Sequence, residues 1–258
     1  MNIGAWLGLL IGAYLVFWGA TVSGAGKALL DSHGVLIVLG GTAAAVLVSA
    51  PVRRIAAAFG AFLGLFAPGR QTSVEEAIAE IARLARKSQA EGGILALRDE
   101  GRDTAGGFLN RAITVAIAAG EAAETRRIME LEIRQARQAR QEQANLWRTV
   151  SVLAPMFGII GTLLGMIQVM GTLSDPTKMA PSMALALTSA LLGIGISNLL
   201  CIPVAGHIRL KGINETLLRE LLLEGVLDIC AGKPAHLVEL HLSSYSERRR
   251  PSAAPAGR

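Results

Sequence analysis

Long uncharged hydrophobic runs alternate with charged stretches of helical periodicity along this chain of 258 residues. Four runs approach the roughly 20 apolar residues that cross a bilayer as a helix: Ile3 to Val22, Gly34 to Ala50, Val150 to Thr172 and Met179 to Gly206. The second is short and opens at His33-Gly34, so it is expected to tilt or to thin the bilayer locally. The first has the position of a secretory signal. No basic residue precedes it, however, and it exceeds the roughly 7 to 15 apolar residues of such signals, so it is expected to persist as a helix.

The polar segments read as helices too. Residues 53 to 66, "RRIAAAFGAFLGLF", place two arginines before an apolar stretch too short to span, which suits a helix at the inner membrane surface. Ser73 and Glu76 form a capping-box pattern ahead of an apolar stripe at Ile78, Ile81, Leu84 and Ala85. "EGGILALRDEGRD" is a break with a short helix, and "GGFLNRAITVAIAAGE" is another helix stopped by Gly120. From Glu121 to Arg148 neither Pro nor Gly intervenes, so one charged helix is expected to run directly into the third span. Ile213, Leu217, Leu221 and Val226 support a tail helix ended by "GKP" at 232 to 234, and "SERRRPSAAPAGR" has the composition of a disordered end.

Charge orients the whole. Fifteen of the 25 Lys and Arg residues lie between Pro51 and Val150 and eight after Gly206, leaving the short connections only Lys27 and Lys178. The positive-inside rule therefore makes the large loop, the tail and the N-terminus cytoplasmic. The net charge of +5 does not call for nucleic acid, because the loop's basic residues are interleaved with glutamates. At 52% hydrophobic and 17% charged residues, with a mean hydropathy of +0.45, the chain is too apolar for a soluble domain of its length. Cys201 and Cys230 follow no metal or redox spacing and read as packing residues. The expected fold is an all-α membrane protein of four transmembrane helices with a helical cytoplasmic loop domain and a C-terminal cytoplasmic helix. Its segments are 1–50 (spans one and two), 51–149 (loop), 150–206 (spans three and four) and 207–258 (tail, with the last ~12 residues disordered).

The third and fourth spans carry small residues at helical spacing: Ala154, Gly158, Gly161, Thr162, Gly165, Gln168 and Thr172 on one, Ser182, Ala186, Ser189, Gly193 and Ser197 on the other. Such stripes allow close helix approach in lipid, either between the two spans or against a partner helix or ion path. No Asp, Glu, Lys, Arg or His lies within any of the four runs. Ion relays in membranes use such residues, so an ion crossing here needs a carboxylate from another chain. No paired carboxylates, Ser-His arrangement or metal cluster points to an enzyme, and no cofactor is expected.

"LAPMFGIIGTLLGMI", followed by "DPTKMAPSMALALTSALLGIGISNLLCIP" and "EGVLDICAGKPAHLVELHLSSY", resembles the A subunit of bacterial flagellar motor stators, the MotA/PomA family. The wider superfamily includes the three-span TolQ/ExbB energy transducers, and four apparent spans favour the stator branch. The resemblance implies a homopentamer in the bacterial inner membrane surrounding single-span B subunits whose aspartate carries a proton or sodium ion, with the cytoplasmic loop acting on the rotor protein FliG. It implies an ion path lined by Thr162, Ser189, Ala190, Gly161, Gly165 and Gly193. Pro155 and Pro203, which remove a backbone hydrogen bond, are read as coupling hinges or as plain helix ends, and the loop charges Arg86, Lys87, Arg98, Asp99 and Glu100 as rotor contacts or a solvated helix face. The chain departs from the family pattern in two places. Ala90-Glu91 and Arg98 stand where an Arg-Lys pair and a Glu are usual, and Ala190 follows Ser189 where two adjacent hydroxyls are common, which leaves the ion open. A TolQ/ExbB-like transducer and a non-conducting membrane scaffold are the other readings.

Overall fold

A computed structural model describes residues 3–22, 32–66, 72–98, 100, 104–173 and 176–249, and all the regular elements among them are helical. We number the helices α1 (Ile3–Val22), α2, α3 (Val52–Phe66), α4 (Val74–Ala90), α5 (Phe108–Ala119), α6 (Ala122–Gly171), α7 and α8 (Ala235–Arg249). Helix α2 consists of Ser32–Val35, a π-helical Leu36–Gly40 and Gly41–Ser49, each continuing the last. Helix α7 likewise joins Pro176–Gly195, a π-helical Ile196–Cys201 and Ile202–Cys230. As the absence of breakers from Glu121 to Arg148 predicts, α6 is one helix of 50 residues.

The chain divides into two compact units, residues 1–68 with 140–210, and residues 69–139 with 211–258. The first holds the helices and helix segments expected to span the membrane. Helix α1 is 20 residues long, about 30 Å at 1.5 Å per residue, which matches a hydrocarbon core. The most apolar window of α6 is only 22% buried, and Ile159, Leu163, Ile167, Leu187 and Ile194 are exposed. A water-soluble protein hides such helices inside; this chain turns them outward, as a membrane protein does. Helix α3 belongs to this unit. Its Ala58 packs with Ala144, Trp147, Cys201, Val204, Ala205 and Ile208, and the Trp147 indole N–H donates to the Ala58 carbonyl at 3.1 Å. Phe59 and Phe62 lie 5.4 and 5.3 Å from the Trp147 ring, centroid to centroid, so the contact is aromatic as well as polar.

The second unit is built like a soluble domain. The capping box forms as its pattern predicts, with the Ser73 hydroxyl accepting from the Glu76 N–H at 3.0 Å and the Glu76 carboxylate accepting from the Ser73 N–H at 3.1 Å. Ile81, Leu84 and Ala85 are buried and Ile78 packs beside them, joining Phe108, Ile113, Met129, Leu222 and Val226 in one core. Helix α5 stops at Gly120, whose φ of 65° is the left-handed conformation that glycine adopts without strain. Gly225 is required by packing, since a Cβ there would lie 2.6 Å from Ile81 Cγ2.

The tail differs from its sequence reading. After Cys230 the chain turns at Gly232 and forms a further helix, α8, which buries Ala235, Val238 and Leu242 along α4. That helix reaches Arg249, into the stretch read as disordered, and residues 250–258 lie outside the described residues. Asp228, almost fully buried, joins α7 to α8. It accepts from Lys233 Nζ at 2.7 Å and lies 2.6 Å from His241 Nδ1, so a buried carboxylate is satisfied from both sides.

Candidate functional site

The small-residue stripes of α6 and α7 face each other. A Cβ on Gly158 would fall 2.9 Å from the Ser189 carbonyl oxygen, one on Gly161 2.5 Å from Ser189 Cβ, one on Gly165 2.7 Å from Ala186 Cβ, and one on Gly193 2.6 Å from the Ala154 oxygen. In lipid, where hydrophobicity does not drive helix pairing, this close backbone approach supplies the attraction. Gly34 of α2 closes the third side, its virtual Cβ 3.2 Å from Ser189 Oγ.

Six residues were expected along an ion path, and the interlock sorts them. Gly161, Gly165, Ser189 and Gly193 are buried where the helices meet, and Ser189 Oγ donates inward to the Leu185 carbonyl at 2.8 Å. Thr162 and Ala190 stand half-buried at the edge of the same seam. Thr162 Oγ1 lies 3.1 Å from both the Gly158 and the Ala186 carbonyls, so its single proton is committed to backbone oxygens. A hydroxyl has two acceptor lone pairs.

Neither proline ends its helix. Pro155 lies inside α6 and has no N–H for the carbonyl of Ser151, four residues earlier. The hydroxyl of Ser197, in the π-helical part of α7, donates to that carbonyl at 2.6 Å. Pro203 stands one residue beyond the π-helical segment, separated from it by Ile202, and a π-helical turn is a usual adjustment where a ring clashes with the preceding turn. Sequence reading placed Ser197 on the small stripe but missed its link to Pro155, because the contact joins residues 46 apart. Ser197→Ala should orphan the Ser151 carbonyl and cost about 1–3 kcal/mol. In a Pro155→Ala background the helix regains its own bond, so thermal unfolding of the four-variant cycle should show a coupling of about 1 kcal/mol.

The residues expected at a rotor contact divide in the same way. Glu100 bridges Lys87 Nζ at 2.6 Å and Arg83 Nη1 at 2.9 Å, and Arg83 also holds Glu80 at 2.9 Å. Arg86 and Arg98 are exposed, and Asp99 lies outside the described residues. Arg83 and Glu80 were not foreseen: their i,i+3 spacing is visible, but their tie to Glu100 is long-range. The hydrogen bonds from Lys87, then Arg83, pull the Glu100 carboxyl down to about 2, while Lys87 is raised by its bond to Glu100 and Arg83 by Glu80 first and Glu100 second. A lowered carboxyl contributes fully above its ordinary pKa of 4.5 and loses that contribution as pH falls toward 2. Hydrogen exchange at Ile94–Leu97 should therefore show an unchanged opening equilibrium from pH 7 to 5, and Glu100→Gln should increase opening at pH 7.

This all-helical membrane chain, with two long helices interlocked through glycine, is similar to a class of channel proteins. Residues 101–220 match the model of the MotA/TolQ/ExbB proton channel family. Motility protein A of Cereibacter sphaeroides is 28% identical over 252 residues, covering 96% of this chain and 97% of the relative. The chemotaxis protein PomA of Vibrio alginolyticus is 29% identical over 248 residues, covering 95% of each. The flagellar MotAB stator complex from Bacillus subtilis contains a chain that superimposes with a TM-score of 0.85 at 26% identity, over 94% of this chain and 96% of that one. Within that match, the relatives and the solved stator chain make the protein similar to the MotA/PomA proteins over nearly its whole length.

Proposed function

We propose that the chain is the ion-conducting A subunit of a flagellar stator, working with a single-span B subunit that supplies the ion-carrying aspartate. One observation carries this reading. The apolar segments contain no Asp, Glu, Lys, Arg or His, yet half-buried Thr162, its proton directed to the Gly158 and Ala186 carbonyls, keeps two acceptor lone pairs on its hydroxyl. A partner carboxyl there, once protonated, would donate to Thr162; a sodium ion would use the same lone pairs. The other elements of the proposal are a homopentamer, four spans in the bacterial inner membrane with both termini cytoplasmic, and loop contact with FliG. Arg86 and Arg98 are the rotor-facing candidates, since Lys87 and Glu100 engage one another.

The test is complementation. The chain, expressed with a single-span partner carrying an intramembrane aspartate, should restore swimming to cells lacking their own stator, and an Asp→Asn change in that partner should remove it. Swimming that survives the change, or never appears although both proteins reach the membrane, would overturn the reading.

A further inference from the structure

Helix α3 has two apolar faces. Ala58, with Ala61, Phe62 and Leu65, packs inward on the cluster around Trp147. Val52, Ala56, Phe59 and Leu63, at i, i+4, i+7 and i+11, form a second, largely open stripe, with Val52 68%, Phe59 54% and Leu63 65% exposed, although the Phe59 ring also meets Trp147. Only Ala50 and Pro51 separate α3 from the end of α2, so its first turn is tethered where that apolar helix ends.

The charge beside this stripe has one sign. Helix α3 contains no acidic residue and opens with Arg53 and Arg54. Arg54 Nε approaches Glu142 at 3.5 Å, while Arg53 is exposed. Trp147 and Ile208 pack on Ala58, and the residue after each, Arg148 and Arg209, is also exposed. Three exposed arginines thus lie on α3 itself and on the two helices that pack against it, in a unit whose α3 follows directly on an apolar helix. Guanidinium pairs with phosphate through parallel N–H donors, and an amphipathic helix with basic residues binds at the boundary between headgroups and acyl chains.

We propose that α3 is a docking surface for anionic phospholipid of the cytoplasmic leaflet, with Val52, Ala56, Phe59 and Leu63 among the acyl chains and Arg53, Arg148 and Arg209 on headgroup phosphates. This rests on the reading of α2 as a membrane span with the loop cytoplasmic. A second copy of the chain is the competing occupant, and the absence of acidic residues on α3 argues against a face made to meet the arginines of a neighbour.

The experiment uses the full chain purified with its B partner and placed in nanodiscs of phosphatidylcholine with or without phosphatidylglycerol. Nitroxide labels are attached at Leu63→Cys and, separately, Leu47→Cys, with Cys230→Ala removing the half-buried native thiol. Both labels should be quenched by oxygen and shielded from a water-soluble nickel chelate. Phosphatidylglycerol retained through detergent extraction should fall about fivefold for each of Arg53→Gln, Arg148→Gln and Arg209→Gln. A Leu63 label open to nickel, or dipolar-coupled to its copy in a neighbouring chain, would overturn the proposal, as would unchanged phosphatidylglycerol in the triple variant. A Leu47 label open to nickel would instead break the reading of α2 as a span, and the proposal with it.

Discussion

Thr162→Val should abolish torque while leaving the complex assembled. Valine keeps the volume of threonine and removes its oxygen, so packing at the α6/α7 seam survives and the hydroxyl acceptor is lost. Two backbone oxygens, of Gly158 and Ala186, lose a shared donor, but each retains its helical partners, and the structural cost stays small beside the functional one. A hydrogen bond to a charged or ion-carrying group contributes about 1.5–3 kcal/mol, which corresponds to at least about a tenfold loss of ion flux or rotation speed. Speed should be measured across a sodium and pH series, with the complex quantified in the membrane. Undiminished speed throughout would make Thr162 a packing residue.

Gly193→Val should have the opposite signature and destroy assembly itself. The added Cβ would fall 2.6 Å from the Ala154 oxygen, 3.2 Å from the Ala154 carbonyl carbon and 3.2 Å from Gly158 Cα. All three atoms are backbone, so no side chain can swing away and the helices must separate. Overpacking a tight core costs about 1–3 kcal/mol or more, and the loss propagates to the contacts of Gly158 and Gly161 on the same seam. The fraction of extracted protein recovered as complex should fall at least about tenfold. Gly171→Val is the control, since nothing lies within 4 Å of its added Cβ. Equal recovery of the two variants would contradict the interlock.

Much of the architecture was legible because it is written in local periodicity. Unbroken helix-forming residues announced α6, the Ser73–Glu76 spacing announced the start of α4, and Gly120 marked a stop. Helix α8 goes beyond the sequence reading: Ala235, Val238 and Leu242 have helical spacing, but what makes them a helix face is their long-range packing along α4, which no local pattern states. The site was legible in composition and illegible in pairing. Small residues at helical spacing state that something approaches closely, but not what. Only the structure shows Gly161 and Gly165 meeting Ser189 and Ala186 of the same chain, which leaves Thr162 and Ala190 at the edge. The long-range links behave alike: nothing local in Pro155 names Ser197, and nothing in Arg83 names Glu100.

The central claim is that the open edge of the α6/α7 seam receives a carboxylate from another chain. The structure of the complex co-purified with its single-span partner, resolved within the membrane, tests it most directly. The account predicts the partner's aspartate beside Thr162 of one copy, within reach of its hydroxyl. An aspartate turned to lipid or to a different helix face, with Thr162 covered by a neighbouring copy, would contradict it.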